Sequence, residues 1–422
     1  MKINKDTTLR DLERFFDNSE LEMELTATSE FNPTVLASLI QCLLTKIRNY
    51  SDIRIKLYID PSEIRNVLRF HYQYFYLISV CLFSRDFKML DKNDREIDLN
   101  SLAYGFIKGR QVQEFLYTQS RSKKLPFNSK ISKTDLDDFD KHFLGKSKGQ
   151  RGVSFGIACF DHETRDDLSW SRYLGTTTET KSGKHLSSWL ERFFDSNKIK
   201  MGNSLSNDTS ISDVSSVVHE LFDNTNQWAK TTFDSKSYYF PNYRGCIMNL
   251  YLQDQLGNGF SSFEPTVNQY LNNLASHEIG TLEFSQSQSE LFSNDKLGLV
   301  EISIIDTGPG MARRILAKDY SEMNEEEEAN GVIQCFQKYM TSDSTGTRTV
   351  RGRGLSKVVE LIGKTGLIRV RSGRTEIIRN FLTTPYGSND TSRGLRFTNK
   401  LSLNPFEGTC ISILYPFKYR DR

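Results

Sequence analysis

"LVEISIIDTGPGM", residues 299–311, is the stretch on which the reading of the second half of the chain turns. Leu299, Val300, Ile302, Ile304 and Ile305 give it the apolar, β-branched composition of a buried strand. It ends abruptly in a carboxylate, Asp306, followed by Gly308, Pro309, Gly310 and Met311. Taken alone, the ending is satisfied by a tight turn, since glycine adopts angles other residues avoid and proline stiffens the bend. Whether Asp306 does more than close a strand depends on what stands elsewhere in the chain.

The chain has 422 residues, enough for two or three domains, with 37% hydrophobic and 26% charged residues, the balance of a globular protein. A formal net charge of +2 opposes a grossly basic nucleic-acid binder, so nucleic acid is not indicated as a partner. No apolar run approaches the roughly 20 residues that cross a bilayer, so no membrane partner is expected. The opening "MKINKDTTLRDLERFF" is charged and lacks an apolar signal core, from which a cytoplasmic location is expected. The six cysteines are scattered without a CxxC pair, which predicts buried thiols rather than disulfides or zinc ligands. The histidines are equally dispersed, so a metal held by protein ligands alone is not expected.

Residues 1–120 read as a small α/β domain. "ELEMELTA" and "IRIKLYI" are strand candidates, and "NPTVLASLIQCLLTKIRNY" is a helix announced by Asn32 and Pro33. "DPSEIRNVLRFHYQYFYLI" starts a second helix, with Asp60 as cap and Pro61 in its first turn. Residues 121–200 read as a polar linker followed by a connecting strand, "GVSFGIACF", and helix, "HLSSWLERFF". From 201 to 422 the pattern changes. "ISDVSSVVHELFDNTNQWAK" is a helix with a stripe of Val214, Val217, Val218, Leu221, Thr225 and Trp228. "RGCIMNLYLQ", "LIRVRSG" and "GTCISILYPF" are strands, and "GLSKVVELIGKTG" is a helix. Segments 255–296 and 382–407 are polar, poorly patterned and read as insertions. The acidic run in "MNEEEEANGVIQCFQKYM" reads as the solvated face of a helix.

Three short pieces stand beside the Asp-Thr-Gly-Pro-Gly turn. In "HELFDNT", Glu220 and Asn224 are four apart and share one helix face, where a polar helix edge is the plain alternative. His219 beside them is read as an ordinary helix residue rather than a phosphate acceptor. In "GTRTVRGRGLSKV", Gly352 and Gly354 precede a helix whose first N–H groups suit phosphate, with Arg348, Arg351 and Arg353 adding charge. In "EGTCISILYPF", Thr409 enters the last strand.

In this order, the four pieces resemble the GHKL ATPase superfamily of gyrase B, MutL, the heat-shock chaperones, the histidine kinases and the anti-sigma-factor kinases. The resemblance covers about residues 200–422. It implies a Bergerat-type α/β sandwich, a mixed sheet covered by helices, preceded here by the smaller α/β domain. It also implies ATP and Mg2+ as ligands and a lid over 312–351. Asp306 would accept from the adenine amine, Gly308 and Gly310 would admit the base, Met311 would pack on it and Thr409 would bond its edge. Asn224 would hold Mg2+ and Glu220 would act as the catalytic base. Arg348, Arg351, Gly352, Arg353, Gly354 and Leu355 would close on the phosphates. The family often has an Asp or a basic residue three or four positions after the asparagine, where this chain has Gln227 and Trp228.

The first 90 or so residues loosely resemble the STAS-like domains of anti-anti-sigma factors, which precede the ATPase in some stand-alone bacterial GHKL proteins. The resemblance thus implies a bacterial ATP-hydrolysing switch that engages a protein partner, with a nucleotide-dependent homodimer as one form of it. A serine/threonine kinase of the anti-sigma-factor type and a non-hydrolysing nucleotide-binding module, for instance in a defence system, stay open as alternatives.

Overall fold

The structure, a computed structural model, describes residues 2–3, 7–17, 21–26, 34–50, 52–59, 77, 80–81, 84, 86–97, 154–160, 186–188, 190–191, 199–201, 211–234, 236–237, 242–251, 265–276, 296–337, 354–363, 365–384, 398–400 and 403–421. The helix expected from Asp60 falls almost wholly outside the described residues.

The N-terminal part runs β1 (Lys2–Ile3), α1 (Leu9–Asp17), β2 (Glu22–Thr26), α2 (Val35–Asn49), β3 (Arg54–Tyr58) and β4 (Asp86–Leu90). The four strands form a parallel sheet in the order β1-β2-β3-β4. Parallel neighbours need crossover connections, which is why helices alternate with strands here. Along β2 and β3, Met23, Leu25, Ile55 and Leu57 point inward, alternating with Glu22, Glu24, Arg54 and Lys56.

The rest runs β5 (Ser154–Phe160), β6 (Ile199–Met201), α3 (Ile211–Trp228), β7 (Tyr243–Tyr251), α4 (Pro265–Ser276), β8 (Lys296–Asp306), α5 (Met311–Leu316) and a 3-10 turn at Tyr320–Glu322. It continues through α6 (Glu325–Gln334), α7 (Gly354–Ile362), β9 (Leu367–Gly373), β10 (Thr375–Asn380), β11 (Thr398–Lys400) and β12 (Phe406–Asp421). Their strands build one sheet in the order β11-β10-β9-β12-β8-β7-β5, with β6 also paired to β12. All its pairings are antiparallel. The large sheet, expected to be mixed, is thus antiparallel throughout its described strands, and parallel pairing occurs in the small N-terminal sheet. Arg374 alone separates β9 from β10, and so short a link can only reverse the chain. β5 and β6, from the stretch read as a connecting segment, belong to this sheet.

The large sheet is covered on both faces. On one, Val300, Ile302 and Ile304 of β8 and Ile411 and Ile413 of β12 pack with Val217, Val218 and Leu221 of α3 and Val358 and Val359 of α7. On the other, Ile305, Ile247 and Cys410 pack with α2, which also meets Leu25 and Ile55 of the small sheet. Every residue of α2 from Val35 to Lys46 is buried. A helix apolar nearly all round has to be interior. The layers are thus helices, large sheet, α1 with α2, and small sheet, and the N-terminal residues share their core with the rest.

Two expectations from sequence are corrected. Residues 265–276, within the stretch read as unpatterned, form α4, whose Val267, Tyr270 and Leu274 bury against Leu299, Leu367 and Leu414. The acidic run is not all solvated. Glu328 is fully buried and accepts from the Arg374 N–H at 2.6 Å and from its guanidinium at 2.7 Å. Asn324 and Glu327 cap the same helix reciprocally.

Burial of α2 is matched at its start by a charge. Glu301, only 3% exposed, accepts from the Thr34 N–H at 2.7 Å, Asn249 at 3.0 Å, Tyr251 at 2.8 Å and Ser303 at 3.1 Å. Those donors offset its desolvation, and its charge suits a helix N-terminus. Because α2 belongs to the interior of both sheets, Leu39→Ala should destabilise the protein by about 2–5 kcal/mol in urea unfolding.

Candidate functional site

The apolar stripe of α3 faces the sheet through Val214, Val217, Val218 and Leu221, which places Glu220 and Asn224 on its half-buried edge. The Asn224 Nδ2 donates to the Glu220 carbonyl at 2.8 Å. A carbonyl can only accept, so this bond fixes the amide's orientation, with its nitrogen toward the helix backbone. Gly354 begins α7 against the same two side chains. A Cβ there would lie 2.7 Å from the Glu220 Oε2 and 3.5 Å from the Asn224 Nδ2, so any side chain at 354 would push the Glu220 carboxylate aside. One turn into α7, the Lys357 Nζ stands 3.9 Å from the Glu220 Oε1. Sequence reasoning passed over Lys357, though its place three residues after Gly354 puts it in the first turn of that helix.

The Asp-Thr-Gly turn meets the far end of α3. A Cβ on Gly308 would stand 2.5 Å from the Ala229 Cα. Ala229 is five residues beyond Asn224, about 7.5 Å along the helix axis. Asp306 lies in register with Thr409 on one side and Arg244 on the other. Its carboxylate accepts from the Gly308 N–H at 2.9 Å. Burial raises its pKa to about 6, while the Gly308 and Thr409 N–H groups, Arg244 and Arg48 act the other way. Gly310 has φ +85, and the next N–H, of Met311, donates to the Ser372 Oγ at 2.9 Å. Met311 is half-buried against the core, as is Leu355. Thr409 is buried beside Asp306. His219 is a half-buried residue of α3, and Gln227 bonds Asp223 on its exposed side.

The segment expected to act as a lid divides. Its first part, 312–337, packs against the core, with Ala312, Met323, Val332 and Phe336 buried. Arg314 caps the end of α3 by donating to the Trp228 carbonyl at 2.8 Å and to the Thr231 carbonyl and hydroxyl at 3.2 and 2.9 Å. Arg374 donates to the Tyr320 and Met323 carbonyls at 3.2 and 3.0 Å. Residues 338–351, with Arg348 and Arg351, lie outside the described residues, as do Gly352 and Arg353.

The structure thus gathers Glu220, Asn224 and Gly354 at one point on α3. It sets Asp306, Gly308 and Thr409 together at the strand ends beside the close of that helix. No protein-family model matches the chain, and no curated protein or solved structure is significantly similar to it.

The raised Asp306 pKa has a measurable sign. Its folded value, about 6, lies above the unfolded carboxylate value, so the folded state binds the proton more tightly. The stability this contributes is full below about pH 4 and is lost as pH rises through about 6. The stability difference between wild type and Asp306→Asn, from urea unfolding, should shift by roughly 2 kcal/mol against the wild type between pH 4 and pH 7.

Proposed function

We propose that this chain is a Mg2+-dependent ATPase of the GHKL type, built on a Bergerat-type sandwich, whose nucleotide state is coupled to a protein partner. The observation that carries the reading is the convergence on α3. The start of α7 abuts Glu220 and Asn224, while the Asp-Thr-Gly turn abuts the end of the same helix. Four pieces separated by up to almost 190 residues in sequence become two ends of one site.

At one end, Asp306 is ionised at neutral pH and can accept from the adenine amine. Gly308 and Gly310 keep the backbone low, Met311 offers a soft surface and Thr409 a second polar contact. At the other end, the first N–H groups of α7 and the Lys357 ammonium suit phosphate oxygens. The Asn224 oxygen fits as one ligand of Mg2+, which when bound supplies charge neutralisation to the phosphates. Glu220 holds the proton-accepting position. It takes a proton from water as the water oxygen bonds to the γ-phosphorus and the bond to the β–γ bridging oxygen breaks, releasing ADP and phosphate. Arg348, Arg351, Gly352 and Arg353 complete the phosphate end on the strength of the family resemblance.

Labelled ATP and purified protein provide the test. Glu220→Ala should bind ATP normally and turn it over roughly 100-fold more slowly, the scale for a lost general base. Asn224→Ala should lose the Mg2+-dependent part of binding. Asp306→Asn should cost about 1–3 kcal/mol of ATP affinity, and GTP should bind far worse than ATP, since guanine has a carbonyl in place of the amine. Wild-type turnover by Glu220→Ala, or equal calorimetric affinity for ATP and GTP, overturns the assignment. Label transferred to a serine or threonine identifies a kinase instead of a hydrolase.

Hydrogen exchange locates any closure. With a non-hydrolysable ATP analogue and Mg2+, amides of 340–354 should slow, while those of 312–334 should be protected with and without nucleotide.

A further inference from the structure

From Gln41 on, α2 reaches the turn after Asp306 and the start of β12 before Thr409, both assigned to the base. α2 is apolar around most of its surface, yet Gln41, Thr45 and Arg48, spaced i, i+4 and i+7, share one polar face. The Gln41 Nε2 donates to the Glu407 carbonyl at 3.2 Å. The Thr45 Oγ1 accepts from the Glu407 N–H at 2.9 Å. The Arg48 Nη2 donates to the Thr307 carbonyl at 2.9 Å, while its Nη1 lies 3.5 Å from the Glu407 carboxylate. Thr307 follows Asp306, and Glu407 precedes Thr409 by two residues. The Glu407 carboxylate is also 3.5 Å from the Arg313 Nη1, in the first turn of α5. The first turns of α2 behave differently. Ser38 bonds Arg369 in the body of a strand, and the Thr34 N–H bonds Glu301 in another.

We infer that α2 is a working part of the nucleotide site, with Arg48 as the positioning residue that holds the Thr307 turn against the Glu407 bulge at the start of β12, next to the Asp306–Thr409 pair. The inference rests on the ATP-binding reading above and names how that site is regulated. One guanidinium spans the turn and the bulge, so their orientation beyond the paired register depends on the C-terminal end of α2, where burial falls off after Lys46. Nucleotide binding that fixes this orientation favours the seated position of that end, and loosening of that end loosens the base site. Such coupling is reciprocal by thermodynamic necessity. Arg48 lies at the base end, apart from Glu220, so it acts on binding and not on the chemical step.

The test uses the full chain, calorimetric binding of ATP with Mg2+ and steady-state hydrolysis. Arg48→Ala should raise Kd and KM for ATP about tenfold, the scale of one hydrogen bond to a charged group, and leave kcat within about twofold. Arg48→Lys keeps the charge but not the fork that reaches two acceptors, so it should recover only part of the affinity. Thr45→Val, an isosteric change that removes only the hydroxyl, should weaken binding in the same direction and guards against misfolding of the Arg48 variants. Ser38→Ala disturbs the same helix away from Thr307 and Glu407 and should leave Kd unchanged. A non-hydrolysable ATP analogue should slow hydrogen exchange at residues 45–49 in wild type and not in Arg48→Ala. Wild-type Kd and KM in both Arg48→Ala and Thr45→Val, or an equal loss in Ser38→Ala, overturns the inference while ATP binding stands. A wild type that does not bind ATP overturns both.

Discussion

Strand Lys296–Asp306 is paired on both edges and covered on both faces, and the rest of the molecule depends on that constraint. β12 flanks it over eleven residues and β7 over eight. Side chains alternate along a strand, so Val300, Ile302 and Ile304 serve the α3 side while Ile305 serves the α2 side. A slip of one residue would exchange the two sets, carrying Glu301 into the apolar layer beneath α3. Glu301, held by four donors on the α2 side, makes that exchange costly. The register then leaves no choice about Asp306. It follows Ile304 by two, falls on the α3 side and emerges where β8 meets the end of that helix.

The α2 side of the large sheet is unusually charged for an interior. Arg369 pairs with Glu376 at 2.6 Å and donates to Ser38 at 2.7 Å. Arg371 pairs with Glu13 at 2.9 Å and lies over the Phe406 ring at 4.5 Å. Buried pairs gain little over apolar residues of equal size, but leaving one partner unpaired is expensive. Their effect is therefore on specificity. Ser38 and Glu13 come from the N-terminal layer, and Arg369 and Arg371 from the sheet, so a displaced or rotated layer would take from Arg371 its Glu13 partner and from Arg369 its Ser38 hydrogen bond, though not its Glu376 pair. Apolar contact alone would hold α2 against the sheet in several rotations, and the charges select one.

Much of this was legible in the sequence where a local pattern carried it. The apolar run of β8, the stripe of α3, the glycines flanking Asp306 and the Gly354 helix start are each signalled within about a dozen residues. The partnership of α2 with the large sheet was not, because the residues it meets lie more than 200 positions away. What the sequence did offer was the near absence of a polar face on α2, which one sheet cannot satisfy. β9 is legible as the strand "LIRVRSG", but its continuation "TEIIRN" as β10 is not, since Arg369, Arg371 and Arg379 carry charges into an interior whose partners no local pattern announces. Glu328 was misread for the same reason. A charge in a run of charges looks solvated until its partner, Arg374, arrives from 46 residues downstream.

That last contact also limits how the site can move. Swinging α5 and α6 off the sheet would break the Arg374 bonds to Glu328, Tyr320 and Met323 and the Arg314 cap on α3 together. It would also separate a fully buried carboxylate from its guanidinium, a loss of the order of 3–5 kcal/mol for breaking a buried pair. A ligand can supply such an amount only if the contacts it gains exist in the open arrangement and not in the seated one. Met311 begins α5, and its N–H is held by Ser372 of β9, so the Gly310–Met311 turn beyond Asp306 keeps its place only while α5 stays seated.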